Sequence, residues 1–132
     1  MPKILIVDDD KDLVEGQRIF FEGKGFEVRT ALSMKEGIDA VGRYKPDLIL
    51  ADLMMEHYDS GFVFCKKVRD IPDLKDIPII MQTAAPKEIG YTFDASNPKG
   101  KEWMKVDEVV VKPVPLDHLL GKVEQFLARR KT

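Results

Sequence analysis

Residues 4–10 read Ile4-Leu5-Ile6-Val7-Asp8-Asp9-Asp10, four apolar residues without interruption and then three carboxylates. A surface helix needs polar residues on one side, and a strand with one wet face alternates. A short unbroken run ended by charge fits instead a strand covered on both faces, as in a parallel sheet flanked by helices. Related short runs follow at Phe26-Glu27-Val28, Leu48-Ile49-Leu50-Ala51, Ile77-Pro78-Ile79-Ile80-Met81 and Val109-Val110-Val111. Pro78 belongs near the strand start, where its missing N–H does least harm.

Helical patterns fill most of the intervals. After Asp10, Leu13 and Val14 recur a heptad later as Phe20 and Phe21, and the pattern stops at Gly23 and Gly25. Ser33 and Glu36 have capping-box spacing, and Met34, Ile38 and Val41 then share a face. Phe62, Cys65 and Val68 form a weaker stripe. Leu116, Leu119, Leu120, Val123, Phe126 and Leu127 form the cleanest amphipathic pattern, with Pro115 near its first turn. Five strands alternating with helices predict a doubly wound α/β parallel sheet with right-handed crossovers. Residues 86–106 do not fit, holding Gly90, Asn97-Pro98 and Gly100 with no sustained helical period. They read as irregular chain with at most short helical turns.

Composition narrows the function classes. At 132 residues, 44% hydrophobic and 33% charged, the chain suits one globular domain spanning residues 1–132. Lys plus Arg is 21 against Asp plus Glu 23, a formal net charge of −2 that offers no footprint for nucleic acid or anionic membrane. The lone Cys65 excludes an internal disulfide and a cysteine-rich zinc site. No run approaches membrane-spanning length and Met1-Pro2-Lys3 has no signal-peptide shape, so the expected compartment is the cytoplasm.

In an open α/β sheet, ligands bind beyond the carboxyl ends of the strands. Here those ends carry Asp8-Asp9-Asp10, Asp52, Gln82-Thr83 and Lys112-Pro113. Adjacent carboxylates repel unless a cation lies between them, and a hard divalent ion such as Mg²⁺, which takes oxygen ligands, answers that repulsion. Any one charged strand end is ordinarily a cap or a solvent-facing group. Carboxylates, a hydroxyl and an ammonium converging on one edge make a site.

These blocks, with Pro46-Asp47-Leu48-Ile49-Leu50-Ala51-Asp52-Leu53-Met54-Met55 and Pro78-Ile79-Ile80-Met81-Gln82-Thr83-Ala84, resemble in order the signatures of two-component response-regulator receiver domains. The resemblance covers nearly the whole chain. It implies the flavodoxin-like receiver fold, a five-stranded parallel sheet of order 2-1-3-4-5. It also implies that Asp52 accepts a phosphoryl group from a sensor histidine kinase or phosphotransfer protein. Asp9 matches the direct Mg²⁺ ligand, Asp8 its water-mediated acidic neighbour, and the Met54 backbone carbonyl the main-chain ligand. Thr83 and the N–H of Ala84 would hold phosphoryl oxygens. Lys112 would pair with Asp52 at rest and with the phosphoryl group afterwards. Lys112-Pro113 also resembles the family's cis peptide, which would aim the ammonium inward. The expected role is that of a phosphoacceptor rather than an enzyme, signalling to an unidentified downstream protein without direct nucleic-acid contact or membrane insertion.

Three departures bear on output. The aromatic switch position three before the lysine is Val109, Glu56 stands where a proline is usual, and the 28 residues 84–111 exceed the usual spacing between Thr83 and Lys112. The family's helix in that interval gives way to the irregular stretch. That stretch, carrying Tyr91, Phe93 and Trp103, is expected to respond when Thr83 is drawn toward a phosphoryl group.

The remaining candidates have plain structural readings. His57 and His118 face solvent, Cys65 is a small core residue, Met54 and Met55 pack, and Arg129-Arg130-Lys131 complement a helix end. A stand-alone receiver with no output domain is the leading reading. An aspartyl-phosphate phosphatase would place a second acid at position 54, which is Met54. A flavin carrier would need a Ser/Thr/Gly-rich phosphate loop after the first strand, where three carboxylates stand. A receiver that is never phosphorylated would have lost its acceptor or its lysine, and both are present.

Overall fold

The computed structural model describes residues 2–52, 60–83, 107–112 and 114–130. The elements are β1 (Lys3–Val7), α1 (Lys11–Gly23), β2 (Glu27–Ala31), α2 (Met34–Tyr44), β3 (Leu48–Asp52), α3 (Ser60–Arg69), a 3₁₀ turn (Pro72–Leu74), β4 (Ile79–Thr83), β5 (Glu108–Val111) and α4 (Leu116–Arg130). All four strand pairings are parallel and the order is β2-β1-β3-β4-β5, as the resemblance implied. The irregular stretch 86–106, with its aromatics, lies outside the described residues.

The unbroken apolar runs are explained by two half-cores. Leu5, Val7, Ile49, Ala51, Ile79 and Met81 face one side, under α2 and α3. Ile4, Ile6, Leu48, Leu50, Ile80 and Val110 face the other, under α1 and α4. Alternate residues of one strand thus enter opposite cores, and neither side of the central strands can be polar.

Two strand boundaries differ from the sequence expectation. β2 extends to Ala31, its Arg29 and Thr30 exposed on an edge strand while Val28 and Ala31 are buried. Its pattern is therefore amphipathic and too polar to stand out. β4 begins at Ile79: the Ile77 N–H is spent on the carbonyl of Leu74 at 3.2 Å, in the turn that follows the 3₁₀ segment, and Pro78 has no N–H. Pro78 still accepts from the Ile49 N–H at 3.0 Å.

Helix ends follow local chemistry. The Asp10 carboxylate accepts the Leu13 N–H at 3.2 Å and starts α1 directly after the acidic run. At its other end Gly25 has φ 95, and the N–H groups of Gly25 and Phe26 donate to the carbonyls of Glu22 and Phe21. The Phe21 and Phe26 rings meet edge to face at 5.8 Å, completing a Schellman end. Ser33 caps α2 through the Glu36 N–H at 3.1 Å. The Glu36 carboxylate reaches past Ser33 to the Leu32 N–H at 2.7 Å, a variant of the expected capping box.

Gly37 lets α2 approach its neighbours. A Cβ there would lie 2.9 Å from Phe64 Cε1 and 3.0 Å from Val7 Cγ1, both fully buried. Gly37→Ala is expected to destabilise the fold by about 1–3 kcal/mol in urea titration. Gly42→Ala on the same helix meets nothing within 4 Å, and should be neutral or stabilising by up to about 1 kcal/mol. Equal effects at both positions would remove close packing as the reason.

Cys65 and Val68 of the predicted α3 stripe are buried, and Phe64, which the stripe did not include, is buried in the same core; the side chain of Phe62 lies outside the described ones. Burial pushes the Cys65 thiol up to about 12, so it stays protonated and behaves as an apolar group. Past α3, Arg69 donates to the carbonyls of Lys75 and Ile77 and to Asp107 Oδ2 at 3.0 Å. The same oxygen accepts the Ile79 N–H at 2.8 Å, fastening the starts of β4 and β5 together. Leu119, Val123 and Leu127 of α4 are buried, with Leu120 and Phe126 packed partly against them. Among the described residues no helix is long and apolar enough to cross a membrane.

Candidate functional site

Parallel register brings the carboxyl ends of four strands to one edge. Val7 pairs with Ala51, Asp52 with Gln82, and Thr83 with Val111. Asp8, just past β1, donates its N–H to the Ala31 carbonyl at 3.1 Å, while its Oδ1 accepts the Asp10 N–H at 2.9 Å. Asp8 is wholly buried, Asp52 is 5% exposed and Thr83 is 2% exposed, whereas Asp9 opens to solvent. One carboxylate oxygen from each of Asp8, Asp9 and Asp52 lies within 4.8 Å of the others.

Lys112 answers part of this charge. Its Nζ lies 2.8 Å from Asp8 Oδ2 and 3.3 Å from Asp52 Oδ1. Its backbone N–H donates to the Thr83 carbonyl at 2.7 Å, so lysine and threonine are set relative to each other by the β4–β5 edge. Burial works against the charged ammonium, but the hydrogen bond to Asp8 and the field of Asp52 outweigh it. The Lys112 pKa is therefore raised above the ordinary lysine value. The resemblance implied a resting pair with Asp52. The structure shows a shared ammonium, with its shorter contact to Asp8.

All the described candidates, Asp8, Asp9, Asp52, Thr83 and Lys112, thus meet at one edge. The Met54 carbonyl, the Ala84 N–H, Glu56, His57 and the geometry at Pro113 lie outside the described residues. His118 is exposed, as expected, and Arg129 sits over the Phe126 ring at 5.2 Å on its own helix. Val109, at the aromatic switch position, is half-buried against the α2–α3 half-core.

One pair was not anticipated. Gln17 Nε2 donates to Gln82 Oε1 at 2.9 Å, and Gln82 Nε2 donates back to Gln17 Oε1 at 3.3 Å. Both are buried, 5% and 1% exposed. The sequence did hold a signal. Gln17 falls between Val14 and Phe21 on the buried face of α1, and Gln82 follows three apolar residues of β4. Polar residues at core positions on two elements ask for each other. A cleft of about 390 Å³ opens beside the pair, between the start of α1 and the start of α4, and Lys112 forms part of its wall.

A doubly wound sheet of this order, with an acid cluster and a lysine at the carboxyl ends of β1, β3 and β5, defines the chemotaxis-regulator type of flavodoxin-like fold. The chain belongs to the response regulator receiver domain family of two-component systems, whose model matches residues 4–124. It is similar to a two-component response regulator from Clostridium difficile, 28% identical, with full coverage of both chains and a TM-score of 0.81. The chemotaxis response regulator CheY4 of Vibrio cholerae is 25% identical, with a TM-score of 0.79 over 96% of this chain and 98% of that one. Among curated proteins, the phosphate regulon transcriptional regulatory protein PhoB of Rhizobium meliloti is 33% identical over 99% of this chain. The DNA-binding dual master transcriptional regulator RpaA of Synechocystis is 31% identical over 98% of it. The chain spans about half the length of these two relatives, 54% and 50%.

Proposed function

We propose that this receiver takes a phosphoryl group onto Asp52 from a histidine kinase or phosphotransfer protein, in the cytoplasm, and signals through protein–protein contacts. The observation that carries the reading is the placement of Asp52, buried, 3.3 Å from the Lys112 ammonium and beside the carboxylates of Asp8 and Asp9. In the transfer an Asp52 oxygen forms a bond to phosphorus as the donor's nitrogen–phosphorus bond breaks, and the donor imidazole keeps the electron pair and takes up a proton. Lys112 is placed to move its ammonium from the Asp52 carboxylate to the phosphoryl oxygens, and Thr83 to offer its hydroxyl. The chain carries the group and is not assigned a separate substrate. Its formal net charge of −2 gives no overall attraction to nucleic acid, and we propose no nucleic-acid contact for it.

The donor set fits Mg²⁺: hard carboxylate oxygens gathered within 4.8 Å, one side open to solvent at Asp9. Asp9 and Asp8 would hold the ion with Asp52 and, by the family resemblance, the Met54 carbonyl. When bound, it supplies positive charge to the transferring oxygens. Binding also stabilises the fold by mass action, by about 1.4 kcal/mol at tenfold excess over Kd. Millimolar Mg²⁺ should therefore raise the melting temperature by several degrees. Asp9→Asn should melt no lower than the parent without metal and lose most of the rise. A parent protein that melts at one temperature with and without Mg²⁺ excludes the pocket as a cation site.

A further inference from the structure

We infer that Gln17 and Gln82 are positioning residues for Thr83, fixing how tightly the pocket holds a phosphoryl group; the inference rests on the function proposed above. Among the described residues, Gln82 is the last β4 residue paired to β3, opposite Asp52, while Thr83 beyond it pairs only with β5. On the β3 side, the placement of Thr83 therefore passes through the residue before it. Gln82 is held from the α1 side by the two reciprocal amide bonds, 2.9 and 3.3 Å. Helix α1 in turn starts at Asp10, whose N–H is bound by Asp8. One continuous connection thus runs from the acidic loop through α1 and the amide pair to the strand end that carries Thr83.

The chemistry of the pair suits this task better than apolar packing would. Two apolar side chains can slide over each other with little change in energy. A reciprocal amide pair has directional bonds, and burial makes their loss costly because each orphaned amide forfeits solvation as well. The pair stands where the half-core of Ile6, Val14 and Ile80 meets the cleft that Asp10 and Asp12 also line. The pair also shares the wall of the cleft with Lys112, the other group that must reach the phosphoryl oxygens.

The test uses beryllofluoride with Mg²⁺ as the phosphoryl mimic, its affinity measured by titration calorimetry on the full chain. Gln82→Leu, and the apolar double variant Gln17→Leu/Gln82→Leu that leaves no orphaned amide, should each weaken the mimic about three- to tenfold. In a Thr83→Ala background the same substitutions should leave affinity within about twofold of that background, because the threonine they position is gone. The Mg²⁺-induced rise in melting temperature should match the parent in both glutamine variants. Equal weakening in both backgrounds, a lost Mg²⁺ response or unchanged affinity in the double variant overturns the positioning role. Failure of the unsubstituted chain to bind the mimic instead removes the proposed function itself, and the inference with it.

Discussion

Given Mg²⁺ and a small acyl phosphate, the chain is expected to gain one phosphoryl group, and Asp52→Asn to gain none. The three carboxylates of the pocket are not equivalent. Asp8 has one oxygen occupied by the Asp10 N–H and the other by Lys112 at 2.8 Å. Asp9 is exposed to solvent, where water competes for its charge. Asp52 combines burial with an ammonium at 3.3 Å, close enough to neutralise charge and long enough to be released to an incoming group. An amide in place of the Asp52 carboxylate keeps the volume but loses the anionic nucleophile. Intact-mass measurement distinguishes one added group from none. A stoichiometric, Mg²⁺-dependent adduct on Asp52→Asn would place the acceptor elsewhere.

The second large effect concerns the lysine. Lys112→Met keeps the apolar stem and removes the charge, leaving Asp8 and Asp52 together without their shared ammonium. Breaking a fully buried pair costs about 3–5 kcal/mol. The Lys112 side chain is 22% exposed, so water recovers part of that, and a loss of about 2–3 kcal/mol is expected at neutral pH. The pH dependence has a definite sign. A lysine whose folded pKa is raised contributes fully below its ordinary value of about 10.4 and less as pH climbs through the folded value. The gap between parent and variant in urea titration should therefore be full at neutral pH and narrow in strong alkali, as Lys112 loses its proton. Mg²⁺ should stabilise Lys112→Met more than the parent, because a cation then answers repulsion that the lysine no longer does. A variant as stable as the parent, with an equal Mg²⁺ response, would show that water already screens the two carboxylates.

Much of this protein is written locally. Ile4–Val7 buried on two faces, the N-cap at Asp10, the Gly25 end and the stripe of Leu119, Val123 and Leu127 depend on neighbours within a few residues, which periodicity and turn chemistry report. The strand ends were legible for the same reason: an apolar run followed by Asp or Lys marks both the strand and its edge. The wet half of β2 was not, because an edge strand needs only one apolar face and Arg29 and Thr30 look like loop. Phe64 was missed because it sits beside the Cys65 and Val68 stripe rather than on it, and its burial depends on Gly37 of α2 coming close enough to receive it. The amino-acid sequence alone thus determined the order of elements, the edge on which the carboxylates, hydroxyl and ammonium stand, and the chemistry available there. Tertiary structure decided how those groups pair. Lys112 lies 104 residues from Asp8, and Gln17 lies 65 from Gln82. Such contacts are set by sheet register and helix packing, each the sum of many distant contacts, and a one-residue shift in β4 or β5 would turn Gln82 or Lys112 to the other face.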